Sequence, residues 1–178
     1  MLGGISIITP SQNDLHPREP DAVEVGAVRI AGGVRPQNFD VGYRPDGVRF
    51  ACDSKTLNDA KSVGKNYQNM INDLGTEATT VHTRFPYAII AFLVAIPAPC
   101  LLPTQQSGLI GALQRLAGRA SPIDVPHKAE AIALVVWDPA TGAIDANVPD
   151  PSSPLRIETF SQSVQRHYFD RYFGMPPH

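Results

Sequence analysis

One unbroken apolar run, Tyr87–Ile96 (YAIIAFLVAI), limits what this chain can fold into more than any other stretch. It offers no polar face to solvent, so as a strand it must be covered on both sides. A second run of the same kind, Ala131–Trp137 (AIALVVW), repeats the demand. Two such strands call for helices above and below a shared sheet, which is an α/β architecture. The apolar stretch that starts at Tyr87 extends only to Leu102 and is interrupted by Pro97 and Pro99, too short for a bilayer-spanning helix. The N-terminal MLGGISIITPSQND lacks the basic start and small-residue cleavage site of a secretory signal. A cytoplasmic protein with no membrane partner is therefore expected.

The helices can be located from spacing. Ala60, Val63, Tyr67, Met70, Ile71 and Leu74 recur with a helical period, and Gly75 supplies an expected stop. Gln105–Ala117 forms a second helix, with Thr104 as a candidate cap and Gly118 after its end. A last helix is expected over 159–173, where Phe160, Val164, Tyr168 and Tyr172 stand four apart. Residues 1–20 show no period and read as an irregular N-terminal arm. Between Pro20 and Ala31 the pattern fits a short helix or a strand equally well. With 178 residues in all, 21–178 is the right size for one domain. Cys52 and Cys100 each lie in an apolar setting and read as free buried thiols.

Chemistry concentrates in one hairpin. Phe39–Tyr43 and Val48–Lys55 are strand-like and are joined by Arg44-Pro45-Asp46-Gly47, which has the residue order of a β-turn. The second strand ends in Asp53-Ser54-Lys55, and residues i and i+2 of a strand leave the same face, so Asp53 and Lys55 point together. Counting back through the turn places Asp40 opposite the 51–53 region, across an interstrand gap of about 5 Å. Two carboxylates that close repel unless a cation lies between them, and oxygen-only ligation suits Mg²⁺. A bound Mg²⁺ would activate water and balance charge on a phosphate, with Lys55 orienting the water. That combination describes a phosphodiesterase.

The segment FDVGYRPDGVRFACDSKTL resembles the active-site hairpin of the PD-(D/E)XK nuclease superfamily, which includes the type II restriction enzymes. In that family an Asp begins one strand and an acid-x-Lys triplet ends the next, and Asp40, Asp53 and Lys55 match these positions. The resemblance implies a restriction-endonuclease-like mixed β-sheet core of order αβββαβ, flanked by helices, over about residues 21–137. It also implies Mg²⁺ held by Asp40, Asp53 and the Ser54 backbone carbonyl, with Mn²⁺ able to substitute, and DNA as the partner. The pattern departs from the family's in two places. Phe39 rather than proline precedes Asp40, and the second acid is Asp where Glu is more frequent. The literal Pro-Asp pair is Pro45-Asp46, which keeps Asp46 as the alternative first ligand.

Other residues are candidates of lower rank. Lys61, Lys65 and Gln68 would meet phosphates if their helix lies along DNA, and would otherwise form a solvated face. Glu24 is a candidate for the additional acid that some relatives contribute from the first helix. His82 reads as a loop histidine near the cleft. A formal charge of −2 argues against a protein that coats nucleic acid by bulk electrostatics, but not against a local basic groove. No zinc-ligand spacing, Gly-rich phosphate loop or Gly-x-Ser-x-Gly elbow is present. The expected activity is a Mg²⁺-dependent restriction-type DNA endonuclease acting as a homodimer, since a two-fold enzyme matches a palindromic site. The alternative is a non-catalytic binding or assembly protein that retains the nuclease fold.

Overall fold

The computed structural model describes residues 5–11, 13–58 and 63–175. Six strands form a single mixed sheet in sequence order: β1 (Ile7–Ile8), β2 (Val23–Ala31), β3 (Pro36–Tyr43), β4 (Phe50–Thr56), β5 (Ile89–Pro97) and β6 (Ala131–Trp137). β2, β3 and β4 make an antiparallel meander, while β4, β5 and β6 run parallel. The parallel pairs need crossovers, supplied by α1 (Val63–Arg84) and α2 (Pro103–Leu116). The last helix, α3 (Ile157–Tyr172), follows β6. Among the described residues no helix is long and apolar enough to cross a membrane.

The two apolar runs lie where their composition requires. Every β5 residue from Ile89 to Phe92 is at most 1% exposed, and β6 is buried from Ala131 to Leu134. On one face Ile90, Phe92, Val94 and Ile96 pack with Ile132, Leu134 and Val136 beneath Met70, Leu74, Ala78 and Val81 of α1 and Leu109 and Leu113 of α2. On the other, Ile89, Ala91, Ala131, Tyr43 and Phe50 meet Val164, Phe160, Tyr168 and Tyr172 of α3. Each Ile, Leu or Phe fully buried in these layers contributes about 1.5–3 kcal/mol. The aromatic stripe of α3 thus belongs to the core, with Tyr168 and Tyr172 ring centroids 5.0 Å apart.

The 20–31 segment, which fitted helix or strand equally well, is strand over Val23–Ala31. Three other sequence expectations need correction. The arm over 1–20 is not wholly irregular, because Ile7 and Ile8 pair in parallel with Val23 and Glu24. α1 does not stop at Gly75 but continues to Arg84, because Ala78 and Val81 extend the buried stripe of Leu74. Burying those side chains offsets the roughly 1 kcal/mol that a glycine inside a helix costs. As a result His82 is helical and 3% exposed rather than in a loop. In the hairpin between β3 and β4, Gly47 takes φ +120° beside the Phe85 ring, a conformation that favours glycine over any residue with a Cβ.

His82 belongs to a buried charged knot at the start of the parallel strands. Glu130, 2% exposed, faces Arg119 and Arg171, each with a guanidinium nitrogen 2.8 Å from Oε1. Its Oε2 accepts from the Ile90 N–H at 2.8 Å and lies 3.3 Å from His82 Nε2. Arg119 also donates to the Pro86 and Pro122 carbonyls, and Arg171 to that of Ala88. The knot ties α1, β5, β6 and α3 together. Burial alone would raise the Glu130 pKa, but His82, Arg171 and the Ile90 N–H outweigh it and hold the value at about 2. A depressed carboxylate stabilises the fold fully above its ordinary value of 4.5 and loses that contribution as pH falls towards about 2. Glu130→Gln leaves buried guanidinium groups without a counter-charge and is expected to cost about 3–5 kcal/mol in urea unfolding at neutral pH. The difference from the native chain should narrow in acid over that window, and a difference independent of pH would contradict this role.

Candidate functional site

β4 carries the site because it loses one neighbour before the other. Its parallel pairing with β5 runs from Phe50↔Ile89 to Thr56↔Ala95, whereas its antiparallel ladder with β3 ends at Val41↔Cys52. Asp53, Ser54 and Lys55 therefore lie on a strand that is anchored on one edge and unpaired with β3 on the other.

The i, i+2 expectation holds for Asp53 and Lys55, which form an ion pair between Oδ2 and Nζ. The same Nζ reaches Glu77 Oε1 of α1 at 2.8 Å. Asp53 is 7% and Glu77 8% exposed, so one ammonium bridges two nearly buried acids. Burial pushes both carboxyl groups above the usual range; the charge of Asp40 adds to the shift at Asp53 and that of Asp53 to the shift at Glu77, while Lys55 opposes both. Burial works against the Lys55 ammonium, but its bonds to Asp53 and Glu77 outweigh that and raise its pKa. Glu77 was missed in the sequence because it follows the expected helix stop, on a turn that the glycine signal had removed from the helix.

Asp40 lies beside this trio but does not join it. Its Oδ2 accepts from the Ser54 N–H at 2.9 Å and also from the Ser54 hydroxyl. The reason is a break in alternation. Opposite Asp40, β2 has a bulge between the pairs Val25↔Val41 and Val28↔Phe39, with Gly26 at φ +133°. Across it Phe39 packs into the α1–α2 core, whereas Val41 packs on the α3 side. Two residues that regular alternation would place on one face are thus on opposite faces, and the hairpin count no longer fixes where Asp40 points. Its carboxylate satisfies the strand N–H that β3 has ceased to pair. Among the described residues no three His, Cys, Asp or Glu side chains converge in a metal-holding arrangement as they stand.

The remaining candidates are dispersed. Asp46 sits in the loop at the opposite end of β4 and pairs with Arg49 at 2.6 Å. Glu24, expected on a first helix, is on β2, 2% exposed, with both oxygens held by Arg44 at 2.7 and 2.8 Å. That fixed pairing satisfies a buried charge and is a structural role. Gln68 is an exposed residue of α1, Lys65 is in the same helix, and Lys61 lies outside the described residues. Cys52 is half-buried, and its thiol is pushed up to about 12, first by burial and then by the charges of Asp53 and Asp40, so it is not a thiolate nucleophile. In comparisons with protein-family models, curated proteins and solved structures, nothing matches the chain.

The bridging role of Lys55 can be read directly. Lys55→Met removes the ammonium that bridges Asp53 and Glu77, and carboxyl NMR titration should show both groups releasing their protons at higher pH than in the native chain. Unchanged titration of both would show that the bridge does not persist in solution.

Proposed function

We propose that this protein is a divalent-metal-dependent DNA endonuclease of the restriction-endonuclease-like kind. The observation that carries the reading is the joint projection of Asp53 and Lys55 from the stretch of β4 that β3 no longer covers, with Asp40 against the intervening Ser54. The fold is compatible with it. The meander β2-β3-β4, then α1, then parallel β5 is consistent with the βββαβ part of the expected αβββαβ order, although the described residues before β2 hold the short strand β1 and no helix.

The donor set fits a hard divalent cation, because the carboxylates around Asp53-Ser54-Lys55 outnumber its one ammonium and all the candidate ligands are oxygens. Mg²⁺, or Mn²⁺ in its place, would be held by Asp40, Asp53 and the Ser54 carbonyl and would make bound water acidic and offset phosphate charge. Lys55 supplies the positive group that orients the attacking water and balances the developing charge on phosphorus. Water adds to phosphorus, one P–O ester bond breaks, and the departing oxygen takes a proton. To join Asp53 on the cation, Asp40 would have to give up its bonds to Ser54, an exposed neighbour. Two copies of the chain would cut both strands of a two-fold symmetric site.

The Asp40–Ser54 pairing is also the observation that favours a second reading, a DNA-binding or assembly protein that keeps this fold without catalysis. Plasmid DNA incubated with and without Mg²⁺ decides between them. Cutting is expected only with metal, and Asp53→Ala or Lys55→Ala should lower it by roughly a hundredfold or more. Asp40→Ala and Asp46→Ala, compared in the same assay, separate the two candidate first ligands, with loss expected for Asp40→Ala. Equal behaviour of the native chain and Asp53→Ala would overturn the catalytic reading.

A further inference from the structure

Glu77 has one oxygen in use and one left over. Its Oε1 accepts from Lys55, while Oε2 is buried and has no hydrogen-bond partner among the described residues. The side chain is 8% exposed and projects from the second half of α1 to within hydrogen-bond reach of Lys55, so it is held against the Asp53–Lys55 pair rather than in solvent. A buried carboxylate oxygen without a donor is costly and calls for a ligand. A cation suits it best, since the group is an acid facing a second buried acid across a single ammonium.

We propose that Glu77 is a further ligand of the divalent cation, and that Lys55 Nζ now stands where that cation binds between Asp53 and Glu77. The identity of the cation rests on the nuclease reading above; the assignment of Glu77 rests on the geometry of the trio. An ammonium hydrogen bond to Glu77 spans 2.8 Å, and Mg²⁺–oxygen ligation spans about 2.0–2.1 Å. The two acids therefore need to close by less than an ångström each to exchange one cation for the other. A doubly charged ion also satisfies two carboxylates better than a singly charged one. The cation and Lys55 compete for the same oxygens, so metal entry frees the ammonium, on its flexible stem, to face water and phosphate. One event thus fills the site and releases the group that serves the reaction.

Isothermal titration of the full chain with MnCl₂ tests this without reference to activity. Glu77→Gln, which preserves shape, is expected to weaken Mn²⁺ binding about tenfold or more. Lys55→Met is expected to tighten it, and the tightening should shrink in Lys55→Met/Glu77→Gln, because the competition takes place on Glu77. Unchanged affinity in Glu77→Gln, with affinity lost in Asp53→Asn, overturns the role of Glu77 while leaving the nuclease reading intact. Unchanged affinity in Lys55→Met overturns the competition. Mn²⁺ binding that Asp53→Asn does not weaken, or no binding by the native chain, overturns the nuclease reading itself. Thermal melts confirm that each variant folds; should Glu77→Gln not fold, Glu77→Asp takes its place, with weakened affinity supporting the role and unchanged affinity overturning it.

Discussion

The early loss of β3 by β4 is the constraint on which the site depends. A strand paired on both edges through Lys55 would direct its polar groups into ladder bonds and leave no room beside Asp53. A strand free on both edges would not hold Asp53 and Lys55 to one face. Here β5 fixes the strand from Phe50 to Thr56, while β3 departs after Val41↔Cys52. The bulge at Gly26 lies beside that departure, adding a residue to β2 opposite Asp40 and increasing the local twist.

The two ends of the sheet use buried charge in opposite ways. At the start of β5 and β6, Glu130 is surrounded by Arg119, Arg171, His82 and a backbone N–H, so the carboxylate is over-supplied with donors and its pKa falls to about 2. Around the far half of β4, Asp53 and Glu77 share one ammonium, are under-supplied, and have raised pKa values. The first arrangement stabilises the fold by fixing α3 and α1 against the sheet. The second leaves carboxylates that a cation would stabilise, which is the electrostatic character expected of a working site.

Much of the fold was legible in the sequence, because it follows from local pattern. YAIIAFLVAI and AIALVVW became the buried parallel strands β5 and β6, and the 3.6-residue spacing located α1, α2 and α3. The i, i+2 rule put Asp53 and Lys55 on one face. What the pattern could not give depended on partners distant in the chain. Gly75 looked like a helix end until the sheet surface under Ala78 and Val81 is known, and that misplaced end hid Glu77 and put His82 in a loop. Glu24 looked like an available acid until Arg44 is seen to hold both its oxygens. Asp40 could be placed beside the triplet by counting residues, but its direction is set by a bulge in a third strand.

The central claim is that a divalent cation binds at Asp53, with Asp40 and Glu77 as its other acids, in place of the Lys55 ammonium. Crystals of the native chain soaked in MnCl₂ and measured for anomalous scattering test it most directly. The account predicts a manganese peak between the Asp53 and Glu77 carboxylates, with the Lys55 ammonium moved away from the position it shares with them. A fully loaded crystal with manganese elsewhere and the ammonium still bridging both acids would contradict it.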